Sequence, residues 1–272
     1  MTLNQSKTFS DAIIITVRNS STRLPNKMIL KIVKDLSSID IVINRAKKTN
    51  LPVIIATTLD SVDDIFEKIA LKHNVSLFRG SSLNKIKRWY DCFVYYKINN
   101  VTIIDGDDLA IDYEICKRGL LKLKSKSVDM IIAPPNIVTG FFTYSINFSG
   151  ISKLYSVASL NSLDTDVITK FIDLSLINSE QINLKDFEKE KKIRLTLDYE
   201  EDLDFFRTLY SKIDVLATGK EIISFLTSNE EITKIKTELN TSHFKRASVS
   251  IGFNSRLHPR TDLTSWAWWV GT

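Results

Sequence analysis

The chain has 272 residues, 43% apolar and 25% charged, the composition of a globular chain long enough for one large α/β domain or two small ones, and not of a disordered one. Its formal charge is +5, but residues 241–272 hold Lys245, Arg246, Arg256 and Arg260 against Asp262 alone, so a broad nucleic-acid-binding face is not expected. Cys92 and Cys116 form no CxxC, no apolar run approaches the roughly 20 residues of a membrane helix, and the polar start lacks a signal-peptide pattern, so a soluble cytoplasmic protein without membrane insertion is expected.

Continuous Ile/Val runs at 12–17, 53–57, 101–105 and 129–133 predict buried strands. Amphipathic helices are predicted between and after them, at about 38–48, 62–73, 83–97 and 112–124. Strand alternating with helix predicts a mostly parallel α/β sheet with helices on both faces. Ligands bind such sheets at the carboxyl ends of the strands, which directs attention to the residues after Val17, Thr57 and Asp105. Beyond Pro134 and Pro135 the pattern changes. TGFFTYSINF at 139–148 alternates and predicts an exposed antiparallel ribbon, helices are expected at 151–160 and 166–176, and IRLTLD at 193–198 reads as a last strand before a helix at 200–210. The domain expectation is a main unit over 1–215 with the ribbon inserted at about 136–165, outer helices over 216–254, and an unclassified tail, 255–272, ending near WAWW.

Directly after the first strand, RNSSTRLPNK at 18–27 places three cations among two serines and a threonine, a concentration of charged and hydroxyl donors that suits a triphosphate. A solvated basic loop is the plainer reading of the same residues. The chain has no GxGxxG and no GxxxxGK[ST], so a phosphate site must rely on side chains. Asp105, Asp107 and Asp108 crowd the end of an apolar strand, where like charges repel unless a cation or solvent relieves them. An acidic turn capping the helix at Asp112 is the alternative. Asp202 reads as a buttress of the last helix, and the three histidines share no metal-ligand spacing.

The loop RNSSTRLPNK resembles the RxGSxRLPGK signature of the CTP-dependent cytidylyltransferases that activate acidic sugars, especially the spore coat polysaccharide branch. The blocks VIIATTLDSVDD, LFRGSSLNKIKRWYD, IDGDDLAID and RLTLDYEEDLDF resemble further family segments in the same order. Ser20 and Asn26 stand where the signature has glycine. The resemblance implies a nucleotidyltransferase-like Rossmann variant that moves CMP from CTP to an acidic sugar or similar small acceptor and releases pyrophosphate. It implies that Arg18, Ser21, Arg23 and Lys27 hold the phosphates, that Arg79, Gly80 and Arg88 lie along the nucleoside pocket, and that Asp107 and Asp198 bind Mg²⁺. Arg18, Lys27 and Asp107 would then be the catalytic set, and the aromatic ribbon would join a homodimer. Two other readings remain open at this point: a DxD-type nucleotide-sugar glycosyltransferase built on Asp105-Gly106-Asp107, and an inactive nucleotide-binding relative acting through a partner.

Overall fold

The computed structural model describes residues 7–161, 176–189, 193–229 and 231–232. The expected helix at 166–176 (save Leu176) and the tail at 255–272 lie outside them. In chain order the elements are β1 Asp11–Thr16, β2 Lys31–Val33, β3 Leu36–Ser37, α1 Ser38–Lys47, β4 Val53–Thr58, α2 Ile65–His73, β5 Ser76–Gly80 and α3 Lys85–Tyr96. There follow β6 Asn100–Asp105, α4 Tyr113–Ser125, β7 Met130–Ile132, β8 Tyr144–Asn147, α5 Phe148–Asn161, β9 Ser179–Gln181, α6 Glu200–Lys212 and α7 Gly219–Ser228.

Seven strands form one sheet in the order β5-β4-β1-β6-β8-β7-β9, and β2 with β3 forms a small antiparallel hairpin. Every pairing in the large sheet is parallel except those of β8 with β6 and β7. The alternation of side chains along β1 explains why its sequence is apolar throughout. Ile13, Ile15 and Val17 enter a core shared with α1, α2, α4, α6 and α7, while Ala12 and Ile14 enter a second core under α3 and α5. Each fully buried Ile of this strand contributes on the order of 1.5–3 kcal/mol. The chain leaves β1 toward β4 on one side and returns to β6 on the other. The crevice at the carboxyl ends of β1 and β6 is therefore the switch point of the sheet.

Four features differ from the sequence expectation. The 139–148 segment is not an exposed ribbon: only Tyr144–Asn147 is a strand, it lies inside the main sheet, and Phe141, Phe142 and Tyr144 are buried. The alternation was real, but both faces of it are covered. IRLTLD forms a single bridge, Arg194 to Thr139, and is otherwise extended chain pinned to the turn after β6 by the Leu197 N–H donating to the Asp107 carbonyl at 2.9 Å. The edge strand β5, half-polar and only partly buried, carried no pattern strong enough to be read. Finally, Ala217, Ile222, Ile223 and Leu226 belong to the larger core, so the first part of the segment expected at the periphery packs into the main body.

Candidate active site

The loop at 18–27 leaves β1 and is tied down from both sides. Asp63, only 1% exposed, accepts from the Asn19 backbone N–H at 2.7 Å, from the Thr57 hydroxyl at 3.0 Å, and from the Thr58 N–H and hydroxyl at 3.2 and 2.5 Å. Across the loop the Asn19 amide donates to Asn26 Oδ1 at 2.9 Å. Asn26 has φ 58°, in the left-handed region, which explains how asparagine replaces glycine there: it tolerates that conformation better than most residues. Leu24 and Met28 are buried in the larger core and fix the loop's far end. Asp63 carried no distinct sequence signal, because one Asp in VDD looks like any helix-start acid.

The loop forms one wall of a cleft of about 390 Å³, and the carboxyl ends of β1 and β6 with the first turn of α3 form the rest. Of the residues expected from the sequence, Arg18, Ser21, Arg23, Lys27, Arg88 and Asp107 line it. Asp198 lies beneath, fully buried. Gly106 lets β6 close on β1: its N–H donates to the Thr16 carbonyl at 2.9 Å, and a Cβ would stand 3.0 Å from the Val17 side chain.

Lys27 connects Asp107, two residues past β6, with Asp198, at the end of the extended chain of 193–198. Its ammonium donates to Asp107 Oδ2 at 2.6 Å, to the Leu197 carbonyl at 2.9 Å and to Asp198 Oδ1 at 3.2 Å. Asp198 also accepts from Arg23 at 2.8 Å and from the Thr196 hydroxyl at 3.1 Å, and it pairs with Arg194. Arg23 lies over the Tyr199 ring, 5.3 Å from its centre. Asp202 buttresses this turn as expected, accepting from the Asp198 and Tyr199 N–H groups at 2.9 and 3.1 Å. Asp112 caps α4 by accepting from the Glu114 N–H at 2.8 Å.

The clustered carboxylates separate electrostatically. Burial alone would raise Asp107, but the charge and hydrogen bond of Lys27 outweigh it and hold Asp107 below the usual range. Asp108 is pushed well above that range, first by burial and then by the charges of Asp107 and Asp105. Among the described residues no three His, Cys, Asp or Glu side chains converge as a metal cage. Asp107 and Asp198 are hard oxygen donors of the kind Mg²⁺ takes, one or two carboxylates with substrate phosphates. The Lys27 ammonium stands between them, however, and Arg23, Arg194 and Thr196 already meet the oxygens of Asp198, so the ion would have to displace Lys27 from the pair.

Arg79 and Gly80 fall outside the lining. The Arg79 guanidinium is spent on the Thr58 and Asp60 carbonyls, both at 3.0 Å, and on Asp64 and Glu67, both at 2.6 Å, so it braces β5 against the connection from β4 to α2. Gly80 ends β5, opposite Thr58. Among the polar residues of the lining, Asp105 belongs to the acidic cluster the sequence pointed to, whereas Thr16 and Lys85 were not expected there; a lone lysine at a helix start gives no signal of its own.

A model of the cytidylyltransferase family matches residues 12–222. Spore coat polysaccharide biosynthesis protein SpsF of Bacillus subtilis is 24% identical over 230 residues, covering 80% of this chain and 94% of that protein. Among solved structures, a cytidylyltransferase from Leptospira borgpetersenii superposes with a TM-score of 0.74 at 24% identity, covering 83% of this chain and 97% of that one. The CTP complex of CMP:2-keto-3-deoxy-manno-octonic acid synthetase gives a TM-score of 0.58 at 14% identity, over 74% and 98% of the two chains.

Proposed function

The chain belongs to the cytidylyltransferase family and is a nucleotidyltransferase, and from that premise we propose that it transfers CMP from CTP to a sugar acid or related surface-polysaccharide precursor, releasing pyrophosphate, in a magnesium-dependent reaction. The observation that carries this reading is the meeting, at the switch point of the sheet, of the cationic loop with Asp107 and Asp198 through one lysine. The names of SpsF and of the octonic acid synthetase support the acceptor class.

In this reading the acceptor hydroxyl attacks the α-phosphorus of CTP and the bond to the β-phosphate oxygen breaks, so no covalent enzyme intermediate is needed. Arg18, Ser21, Arg23 and Lys27 receive the β- and γ-phosphates, where the leaving group gathers negative charge. Asp198 and Asp107 hold Arg23 and Lys27 in place beforehand, so little side-chain freedom is lost when the phosphates arrive. Mg²⁺ held by Asp107 and Asp198 would supply further neutralisation of the phosphate oxygens. The buried thiols of Cys92 and Cys116 fit a reducing compartment such as the cytoplasm. The proposal includes a homodimer, its contact moved from the inner aromatics to the α3 and α5 surface, where Tyr90 stacks on Tyr155 at 4.5 Å and on the exposed Phe148 at 6.0 Å.

The direct test is a pyrophosphate-release screen of CTP, UTP, ATP and GTP against acidic and neutral sugars. CTP with an acidic sugar is expected to give metal-dependent release. Release of a nucleoside diphosphate, or no turnover with any pair, would overturn the reading.

A further inference from the structure

Two charged residues in the cleft have no part in the phosphate arrangement. Lys85 comes from the first turn of α3 and Asp105 is the last residue of β6, level with Thr16 of β1. Their side chains, 12% and 15% exposed, meet at 2.8 Å between Nζ and Oδ1, and both line the cleft. The Lys85 ammonium also lies over the Trp89 ring, 5.3 Å from its centre, so its position is fixed from below.

A paired ammonium and carboxylate present no net charge to an incoming anion. Asp105 would repel a phosphate or a sugar carboxylate, and the cations that suit those groups stand in the 18–27 loop. The mutual bond uses one of the three ammonium donors and one of about four carboxylate acceptor sites. What remains is a donor beside an acceptor, both facing the cleft, which complements a neutral ligand edge carrying an acceptor beside a donor. Cytosine has that edge, with its N4 amino group next to N3 and O2; carboxylates accept from cytosine N4 in the same manner in nucleic-acid recognition. Uracil reverses it: O4 would face the carboxylate and N3–H the ammonium, so both contacts would be mismatched.

We propose that the Lys85–Asp105 pair is the base-discriminating element of the cleft, Asp105 accepting from cytosine N4 and Lys85 donating to N3. The proposal rests on the CTP-dependent reading above and adds residues to it. The test is equilibrium binding of CTP and UTP, each with Mg²⁺ and without acceptor, to the full chain and to the Asp105→Asn and Lys85→Gln variants. Wild type is expected to favour CTP at least about tenfold, the effect of one well-placed polar contact. Asp105→Asn can offer uracil O4 a donor, so it is expected to reduce the CTP:UTP ratio about tenfold, and Lys85→Gln should reduce it in the same direction. A merely structural pair would lower both affinities together and leave the ratio unmoved. That result, or equal binding of the two nucleotides by wild type, overturns the base assignment while leaving CTP use intact. Failure of wild type to bind CTP at all defeats the parent reading as well. Should Asp105→Asn not fold, the wild-type ratio and Lys85→Gln still decide the matter.

Discussion

Arg18 and Lys27 open and close one loop, yet their surroundings make different demands on the protein. From the sequence alone both would be rim charges, removable with little effect on stability. Arg18 is exposed, and Arg18→Ala is expected to lower pyrophosphate release by roughly 10²-fold, the scale of losing one preorganised donor, with the melting temperature unchanged. Lys27 is 8% exposed and compensates the fully buried Asp198 and the partly buried Asp107. Lys27→Ala is therefore expected to cost about 3 kcal/mol of stability, as breaking a buried ion pair does, besides abolishing turnover. Parallel thermal melts and pyrophosphate assays of the two variants check both statements; equal melting temperatures would refute the difference. The motif implied a phosphate contact for Lys27, but its pairing with two carboxylates was not legible, because Asp107 and Asp198 lie 80 and 171 positions away.

At the scale of elements, α1 and α2 are joined by Asp40. It accepts from the Ser37 N–H and hydroxyl at 2.8 and 2.6 Å, closing the start of α1, and from Lys72 at 2.8 Å, and it meets His73 Nε2 at 2.5 Å. Burial would raise its pKa, but the bonds from His73, Lys72 and Ser37 outweigh burial and hold it far below the ordinary carboxylate value. A depressed carboxylate contributes stability that is fully present above its unfolded value, about 3.9, and is lost as the pH falls through the folded value. The melting temperature of Asp40→Asn should thus lie below wild type at about pH 5 to 8, with the margin closing below about pH 4. A margin that widened in acid would contradict this. Helix α4 shows the opposite constraint, space. A Cβ on Gly119 would stand 2.8 Å from the Phe142 ring and from Ser145 Oγ. Alanine gains about 1 kcal/mol of helix propensity, whereas overpacking costs roughly 1–3 kcal/mol. Gly119→Ala is expected to lose about 1 kcal/mol net, measurable as a lower denaturation midpoint.

Across the whole molecule, Arg45 of α1 joins parts distant in sequence. Fully buried, it donates to the carbonyls of Ile111, Val215 and Ala217 at 2.8 Å and of Ala110 at 3.4 Å, and it lies over the Tyr113 ring. It thereby holds the chain between β6 and α4, which follows Asp107, against the approach to α7. Arg45→Met removes the donors and leaves carbonyls buried, at about 1–3 kcal/mol each. Urea denaturation should show stability lower by about 3 kcal/mol or more; a change under about 1 kcal/mol would rule out the bracing role. For assembly, light scattering at micromolar concentration is expected to give the mass of a pair, reduced to one copy by Phe148→Ser with Tyr155→Ser. A wild-type mass of one copy would reject the homodimer.

The sequence by itself determined the α/β alternation, because a strand covered on both faces must be apolar at every position, as AIIITV is. It also made the cationic loop and the aspartates after β6 legible, because these depend on local order along the chain. Three matters were decided only by the tertiary structure. The aromatic alternation at 139–148 faces inward, since β6 and β7 hold β8 between them in the sheet while α4 covers one of its faces and the layer of α3 and α5 the other. Arg79 braces an edge strand while Lys85 enters the cleft, a choice set by which side of α3 and β5 meets the ends of β1 and β6. Asp107, Asp198 and Lys27 meet at one point, because the chain reverses direction around β1 and brings widely separated strand ends and loops into one crevice.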